Sequence, residues 1–179
     1  IGRGIMELFP SGIDGILDLG SADGLLAKGI AELVPNIKRI YAVDMDRELL
    51  KLNPFLSVEG DCRSLPFADS NFDALTAAAL IEHLAEPRHF LKECHRVLKS
   101  GGMIFLTCPV PFFELIATKI GYLKNSGHVA RYNLADISKL SERAGFRVVL
   151  GKKFMFSPFD LPGYLHLESF LRKIGLSFL

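Results

Sequence analysis

ILDLGSADGL, residues 16–25, decides the fold of this chain. Apolar residues run into Asp18, a loop of small residues follows, and a helical pattern of apolar residues begins at Leu25. This change of pattern predicts a buried strand, a turn and a helix, in that order. Small residues allow a ligand to contact the backbone of the turn. The small residues of this turn are Gly20, Ser21, Ala22 and Gly24.

A second strand with an acidic end, YAVDMD at residues 41–46, follows the predicted helix. Asp44 would lie at the end of this strand, where a carboxylate accepts hydrogen bonds from both hydroxyls of a ribose. The alternative is that Asp44 only caps the helix that follows. Met45 would either pack on an adenine ring or fill the core. Together with the first turn, Asp44 predicts a site for an adenosyl cofactor.

The charges near the first turn distinguish between the nucleotides that such a site binds. A diphosphate needs a helix N-terminus with bare amides, which a GxGxxG pattern supplies. Here the small residues form GxAxG, and the carboxylates of Asp18 and Asp23 would repel a diphosphate. The ammonium and sulfonium groups of S-adenosylmethionine are cations that these carboxylates would stabilise. The charges therefore favour S-adenosylmethionine over NAD. The alternative role for Asp18 is to orient the loop backbone.

Five motifs follow one another along the chain. They are ILDLGSADG, YAVDMD, GDCRSLPFADSNFDAL at residues 60–75, LIEHL at residues 80–84 and LKECHRVLKSGGMIFLTCP at residues 91–109. In this order they resemble the class I S-adenosylmethionine-dependent methyltransferases, in particular the ubiquinone and menaquinone biosynthesis group with its type 11 methyltransferase domain. The resemblance covers most of the chain. It implies methyl transfer from S-adenosylmethionine, with S-adenosylhomocysteine as product, to a small-molecule acceptor.

Two residues depart from the pattern of that group. Ala22 stands where the group usually has glycine, and Ala79 stands where it often has an acidic or polar residue. The resemblance also places adenine recognition after the third strand, by the Asp61 carboxylate and the Cys62 amide. The alternative for that pair is an Asx turn in GDCRS. Ala78, at the end of the fourth strand, would join the same edge of the sheet.

The order of elements predicts a doubly wound α/β fold with a mostly parallel sheet, the Rossmann-like methyltransferase fold. Helices separate most of the strands, and Pro87 and Asn133 suit the first turns of two of them, ended by Gly101 with Gly102 and by Gly145. The chain stops about where the resemblance places the seventh, antiparallel strand. Strands are expected at residues 16–19, 39–43, 56–59, 72–77, 103–107 and 146–154.

His83 is the candidate catalytic base, because LIEHL begins just past the fourth strand, near the expected methyl group. The alternative is a solvent-facing or helix-capping histidine. Glu82 is expected to be structural. His128, Arg131 and Tyr132 precede a predicted helix and are candidates for contacts with the acceptor, Arg131 with a carboxylate or phosphate. The alternative is a polar surface loop.

Composition predicts a single domain over residues 1–179, with an acceptor-cap segment at residues 109–133. With 21 Lys and Arg against 20 Asp and Glu, the chain lacks the basic footprint of a nucleic-acid-binding protein. There is no HExxH motif or cysteine cluster, so no metal site is expected. Without a membrane-spanning apolar run or a secretory signal, and with three cysteines that read as reduced thiols, a cytoplasmic location is expected.

Two apolar, phenylalanine-rich segments, residues 109–123 and 154–179, flank the expected acceptor side. They predict a pocket for a lipid-like or quinone-like acceptor, with peripheral membrane contact through nearby lysines and arginines. The alternative is a core or homodimer contact. Two other functions stay open: a noncatalytic S-adenosylmethionine-binding or scaffold protein on the same fold, and a nicotinamide oxidoreductase, against which the acidic loop argues.

Overall fold

The computed structural model describes residues 12–34, 37–109 and 127–152. Its strands are β1 (Gly15–Leu19), β2 (Arg39–Asp44), β3 (Leu56–Glu59), β4 (Phe72–Ala78) and β5 (Leu98–Thr107). Its helices are α1 (Leu25–Leu33), α2 (Arg47–Leu50), α3 (Pro87–Val97) and α4 (Leu134–Arg143), and a 3-10 turn spans Ile81–His83. Strands and helices alternate along most of the chain, as predicted.

The five described strands form one sheet in the order β3-β2-β1-β4-β5, and every pairing among them is parallel. The order reverses between β1 and β4, because the chain builds outward from β1 to β3 and then returns to add β4 beside β1. In open parallel sheets, a crevice forms at the carboxyl ends of the strands where the order reverses. The turns that follow β1 and β4 therefore lie side by side at the carboxyl-terminal edge of the sheet.

Both faces of the sheet are covered, which confirms the doubly wound fold class. Alternate residues of β1 face opposite sides: Leu17 and Leu19 join the larger apolar cluster with α3, whereas Ile16 packs with Ile30 of α1. The buried residues of α3 recur at helical spacing and lie against the sheet. They are Phe90, Leu91, Cys94 and Val97.

Two predicted element boundaries differ from the structure. α3 ends at Val97 and the chain enters β5 directly at Leu98, so Gly101 and Gly102 lie inside β5 and do not end the helix. The pairing register with β4 shifts between Phe72 and Ala74, and the additional residues of β5 are accommodated there with Gly101 at φ 78°. A glycine at positive φ is the usual residue at such an irregularity.

The strand expected at residues 146–154 does not form over its described part, residues 146–152. Residues 147–152 are all exposed, so they bury no apolar face that would hold them against a sheet. The helix before them agrees with its prediction. Asn133 caps α4 in a reciprocal capping box with Asp136, and Gly145 follows its end at φ 97°.

The two apolar segments lie largely outside the described residues, as does most of the predicted acceptor cap. Only Pro109 and residues 127–133 of that cap are described. Within the part of the chain that the structure describes, no helix is long and apolar enough to cross a membrane. Cys62, Cys94 and Cys108 are free thiols.

Candidate functional site

The turn after β1 crosses the end of β2 and is held there by backbone hydrogen bonds. The N–H groups of Gly20 and Ser21 both donate to the Val43 carbonyl, at 2.9 and 3.1 Å. Gly20 has φ 66°, and a Cβ added to it would lie 3.0 Å from Leu80 Cδ1. Leu80 belongs to the turn after β4. The absence of a side chain at Gly20 therefore brings the two turns into contact.

Asp44 connects β2 to this turn through its carboxylate. Its Oδ2 accepts from the Ala22 N–H at 2.8 Å, and its Oδ1 accepts from the Asp46 N–H at 2.8 Å. The cap of α2 is Asp46, whose side chain accepts from Glu48 and Leu49 N–H groups, so the helix-capping alternative for Asp44 is wrong. A carboxylate offers about four lone-pair sites, so Asp44 retains acceptor capacity for a ligand hydroxyl.

Asn53, in the loop after α2, stabilises the turn after β1 by hydrogen bonds. It was not among the residues predicted from sequence. Its Nδ2 donates to the Ala22 carbonyl at 3.2 Å and to Ser21 Oγ at 3.4 Å, and its Oδ1 accepts from the Phe55 N–H. A Cβ at Gly24, which has φ 80°, would lie 2.7 Å from Asn53 Oδ1. The sequence signal for Asn53 is only the turn-forming Asn-Pro pair, which says nothing about a partner thirty residues away.

Asp18 is buried beneath the turn and is 1% exposed. One carboxylate oxygen accepts a hydrogen bond from Thr76 Oγ1 at 2.6 Å, and the other has no hydrogen-bond partner among the described residues. Burial raises the pKa of Asp18 to about 6, the Thr76 hydrogen bond opposes this rise, and the nearby charge of Asp44 adds to it. Asp23, by contrast, is exposed and accepts from the Leu25 N–H. Asp44 therefore adds a second negative charge near Asp18, while the repulsion expected between Asp23 and a diphosphate stays a prediction.

The two departures from the family pattern both adopt backbone conformations that favour glycine. Ala22 has φ 44° and Ala79 has φ 49°. An L-residue in the left-handed region costs roughly 1–2 kcal/mol. The Ala22 N–H bond to Asp44 and the Ala79 N–H bond to the Thr107 carbonyl, at 3.1 Å, hold these conformations in place. The turn thus keeps the shape expected of a glycine turn although Ala22 carries a methyl group.

Met45 and Asp61 occupy the region expected to hold adenine. Met45 is 71% exposed, so the alternative that it fills the core is wrong. The Asp61 carboxylate accepts from the Arg63 guanidinium and from the Arg63 N–H at 2.8 Å, and these hydrogen bonds, that of the guanidinium first, lower the pKa of Asp61. The Asx turn offered as an alternative is thus present. It leaves open a further hydrogen bond to a ligand amine. Cys62 is buried, and burial raises its thiol pKa to about 11.

The turn after β4 brings three predicted residues to one place. His83 ends the 3-10 turn, is exposed, and has Nδ1 3.3 Å from the Gly127 carbonyl oxygen. Its ring meets that of His128 in a T-shaped contact, with centroids 4.7 Å apart. The Val129 and Ala130 N–H groups both donate to the Glu82 carbonyl, at 2.8 and 3.1 Å. Residues distant in sequence are therefore joined at the turn after β4.

The remaining predicted residues lie at the end of β4 and in the segment before α4. Ala78 is half-buried at the end of β4 and pairs with Thr107 of β5. Tyr132 packs against the larger apolar cluster, and its carbonyl accepts from Cys108 Sγ at 3.8 Å. Arg131 is exposed, and it interacts with the rest of the protein. Tyr132 therefore anchors the segment, while Arg131 lies at its surface.

Comparison with known proteins agrees with this geometry. A family model described as a methyltransferase domain matches residues 17–106, which is half of the chain. The chain belongs to this family. The family implies S-adenosylmethionine as cofactor, as the sequence predicted.

Two curated relatives of this methyltransferase domain are quinone-related enzymes. The demethylmenaquinone methyltransferase of Porphyromonas gingivalis is 30% identical over 128 residues, 64% of this chain and 51% of that protein. The ubiquinone/menaquinone biosynthesis C-methyltransferase of Geotalea uraniireducens is 35% identical over 98 residues, 49% of this chain and 42% of that protein. The chain thus spans about half the length of the curated relatives it matches.

Solved structures confirm the Rossmann-like methyltransferase fold. A Bacillus halodurans crystal structure described as a methyltransferase superposes with a TM-score of 0.67 at 25% identity, covering 80% of this chain and 67% of that one. The residues present fit the implied cofactor. The unpartnered oxygen of Asp18 can accept from an ammonium group, and Asp44 can accept from ribose hydroxyls.

Proposed function

We propose that this chain transfers a methyl group from S-adenosylmethionine to a small-molecule acceptor. The observation that carries the proposal is the pair of carboxylates at the turn after β1, where the charge of Asp44 helps to raise the pKa of the buried Asp18. Two neighbouring carboxylates attract a ligand that carries a cation and repel a diphosphate. This pair therefore supports S-adenosylmethionine and weighs against a nicotinamide dinucleotide.

The chain's own residues would act mainly by binding and orienting. Asp18 would hold the ammonium group, Asp44 the ribose hydroxyls, and Met45 would lie on the adenine face beside Asp61 and the Cys62 amide. The backbone of Gly20, Ser21, Ala22 and Gly24 would line the methionine portion, with Ala78 at the adjacent strand end. When bound, the cofactor supplies an electrophilic methyl group on a sulfonium. Alignment of reactants can contribute roughly 7–11 kcal/mol in well-oriented systems.

For the acceptor we propose an apolar, quinone-like or lipid-like molecule with a reacting hydroxyl or ring carbon. The printed names of relatives support this class, since they include a demethylmenaquinone methyltransferase and a 2-methyl-6-phytyl-1,4-hydroquinone methyltransferase. The position of His83 just past β4 supports contact with the acceptor, where a free imidazole would accept a hydroxyl proton. His128, Arg131 and Tyr132 would border the same pocket.

Calorimetric titration with S-adenosylhomocysteine, run beside NADH on the same preparation, tests the cofactor half of the proposal. Saturable binding of S-adenosylhomocysteine alone is expected. Binding of NADH, or of neither compound, would contradict it. Transfer of labelled methyl groups to a panel of demethylated quinols and other apolar phenols tests the second half. Binding without turnover across that panel would instead favour a noncatalytic S-adenosylmethionine-binding protein.

The other proposals concern the whole protein. A single domain over residues 1–179, a cap over the acceptor at residues 109–133, peripheral membrane contact, a homodimer and a cytoplasmic location stay predictions from sequence. Sedimentation of the purified chain with and without anionic vesicles would address the membrane contact and the dimer together.

A further inference from the structure

We propose that Glu82, His83 and His128 form a binding site for a divalent transition-metal cation. One potential ligand atom from each of the three residues lies within 4.8 Å of those of the other two. Nitrogen ligands of a tetrahedral zinc ion stand about 3.3 Å apart, given Zn–N distances near 2.0–2.1 Å. Small side-chain rotations would therefore bring the three atoms into one coordination sphere.

The fold holds the backbone of this cluster in a defined position. Glu82 and His83 lie in the 3-10 turn after β4, and His128 arrives from the segment before α4. Two hydrogen bonds to the Glu82 carbonyl, from the N–H groups of Val129 and Ala130, hold that segment against the turn. A metal site works best when its ligands are in place before the ion binds, and these bonds hold the backbone directly after His128.

The surroundings of His83 match those of a metal-ligating histidine. Its Nδ1 lies 3.3 Å from the Gly127 carbonyl oxygen, which can only accept a hydrogen bond. Nδ1 therefore carries the proton in this arrangement, and Nε2 of the neutral ring presents its lone pair. Histidine ligands commonly donate their second ring nitrogen to a carbonyl or carboxylate, which fixes the tautomer and the ring orientation.

Glu82 supplies the negative charge of the site. Its side chain is 2% exposed, and its carboxylate contributes to raising the pKa of the Cys108 thiol to about 11, after the larger effect of burial. Burial raises the pKa of Tyr132, and the same carboxylate adds a smaller contribution to that rise. The charge thus lies in a poorly solvated space beside the two imidazoles. Electrostatic attraction to a divalent cation is strong in such surroundings.

The donor set indicates which cations the site would take. Two imidazole nitrogens and one carboxylate oxygen suit zinc, manganese or ferrous iron, whereas magnesium and calcium prefer oxygen ligands alone. Three protein ligands also leave at least one coordination position open. A catalytic metal site keeps such a position for water or substrate, whereas a structural site is closed.

The role of the cation, though not its binding, rests on the proposed methyl transfer. An acceptor hydroxyl that occupied the open position would lose its proton to solvent, and the oxygen would retain the electron pair of the broken O–H bond. His83 would then act as a ligand and would not serve as the base. This inference revises the expectation of no metal site, which rested on the absence of contiguous ligand motifs.

Titration with Co²⁺, followed by its visible absorption, and with Zn²⁺, followed by calorimetry, tests the site. The unmodified chain, stripped with a chelator, is compared with His83→Ala and His128→Ala. The matched control is His89→Ala, because His89 is an exposed histidine beside a carboxylate, with Nδ1 3.4 Å from Glu86 Oε2. Each ligand variant should bind at least about tenfold more weakly, since even loss of an outer partner costs 10–100-fold. The control should bind as the unmodified chain does.

Equal affinity in all four proteins, or no Co²⁺ absorption band in the unmodified chain, would overturn the proposal. Circular dichroism of each variant verifies folding, and because His83 is exposed, its replacement should leave the fold intact. S-adenosylhomocysteine binding is measured on the same samples. Metal binding without S-adenosylhomocysteine binding would retain the site and reject the proposed function. The reverse result would reject the metal site alone.

Discussion

The turns after β1 and β4 lie side by side at the same edge of the sheet, yet they are built differently. The first turn is held by its own backbone, which bonds to the end of β2, to Asp44 and to Asn53. The second turn brings together side chains from two parts of the chain, the 3-10 turn after β4 and the segment before α4. Hydrogen bonds to the Glu82 carbonyl join these two parts. The hydrogen-bond partners of the first turn follow it within the next strand, helix and loop, whereas the second turn depends on a segment that the chain reaches only after β5.

The two turns also differ in how they hold charge. At the first turn, Asp18 is buried with one oxygen unpartnered and carries a raised pKa. At the second, the buried Glu82 lies close to two histidines. The first arrangement suits a ligand that brings its own cation, and the second provides the donor atoms that a metal cation requires. Substitutions and pH should therefore affect the two turns separately.

Asp44→Ala should have the largest effect, and only on the cofactor side. Loss of the carboxylate removes the ribose contact and the bond to the Ala22 N–H, so S-adenosylhomocysteine binding should weaken by about 1.5–3 kcal/mol, or roughly 10–150-fold. Calorimetry measures this. The control is Asp46→Ala, which removes a helix cap and should cost about 1 kcal/mol of stability with little change in affinity. Equal losses of affinity in both variants would refute a ribose role for Asp44.

Gly24→Ala and Gly127→Ala compare the packing of the two turns. Both glycines have positive φ, at 80° and 66°, which costs an L-residue roughly 1–2 kcal/mol. A Cβ at Gly24 would also lie 2.7 Å from Asn53 Oδ1, whereas at Gly127 the nearest atom is His83 Nδ1 at 3.9 Å. Chemical denaturation should therefore show a loss of about 2 kcal/mol or more for Gly24→Ala and about 1 kcal/mol for Gly127→Ala. The opposite order would mean that the first turn is the looser one.

The pH dependence of cofactor binding should follow Asp18. Its pKa of about 6 means that the ionised form is lost as pH falls, so S-adenosylhomocysteine should bind about tenfold more weakly at pH 5 than at pH 7. Asp18→Asn should bind weakly at both pH values, without that slope. A wild-type affinity that does not change between pH 5 and 7 would contradict the contact with the ammonium group.

Asp18 should also make stability depend on pH. Because its pKa is raised from 3.8 to about 6 on folding, the stability it contributes is fully present below about pH 4 and is lost as pH rises through about 6. The free energy of unfolding should fall over that window by up to roughly 3 kcal/mol. Asp18→Asn should remove this fall, which urea titrations at pH 4 and 7 would detect.

Asn133→Ala should have the smallest effect on ligand binding. It removes the hydrogen bonds from the Ala135 and Asp136 N–H groups at the start of α4, which costs about 1 kcal/mol of stability. Because α4 follows the segment that carries His128, metal affinity should fall slightly while S-adenosylhomocysteine affinity stays unchanged. A loss of cofactor affinity would show that the two turns are coupled more closely than their contact at Leu80 implies.

Much of this structure could be predicted because its signals are local. The four strands β1 to β4 begin or end within one residue of their predicted bounds, and the Asn133 cap forms as expected. The predicted element boundaries are wrong where pairing or exposure in the folded chain overrides a local sequence signal. Gly101 and Gly102 look like a helix stop, but β4 offers a partner that draws the chain into β5. Residues 146–152 look like a strand, but they remain exposed.

The candidate site divides in the same way. Asp44 and the glycine turn could be found because strand ends and small residues are adjacent in sequence. Asn53 and Thr76 could not, because their partners lie far along the chain and no pattern marks them. The sequence marks Asp61 as a polar residue just after β3, but it does not show the pairing with Arg63, because it does not show which way a neighbouring guanidinium turns.

The sequence by itself determined the methyltransferase fold and the position of the turn of small residues after β1. Apolar periodicity and turn residues act over a few neighbouring positions, and they place acidic residues at the ends of parallel strands. Only the tertiary structure decided that the rings of His128 and His83 are in contact. It also decided that the charge of Asp44 helps to raise the pKa of Asp18. Contacts between segments tens of residues apart depend on how the strands are ordered in the sheet, and that order appears only when the chain has folded.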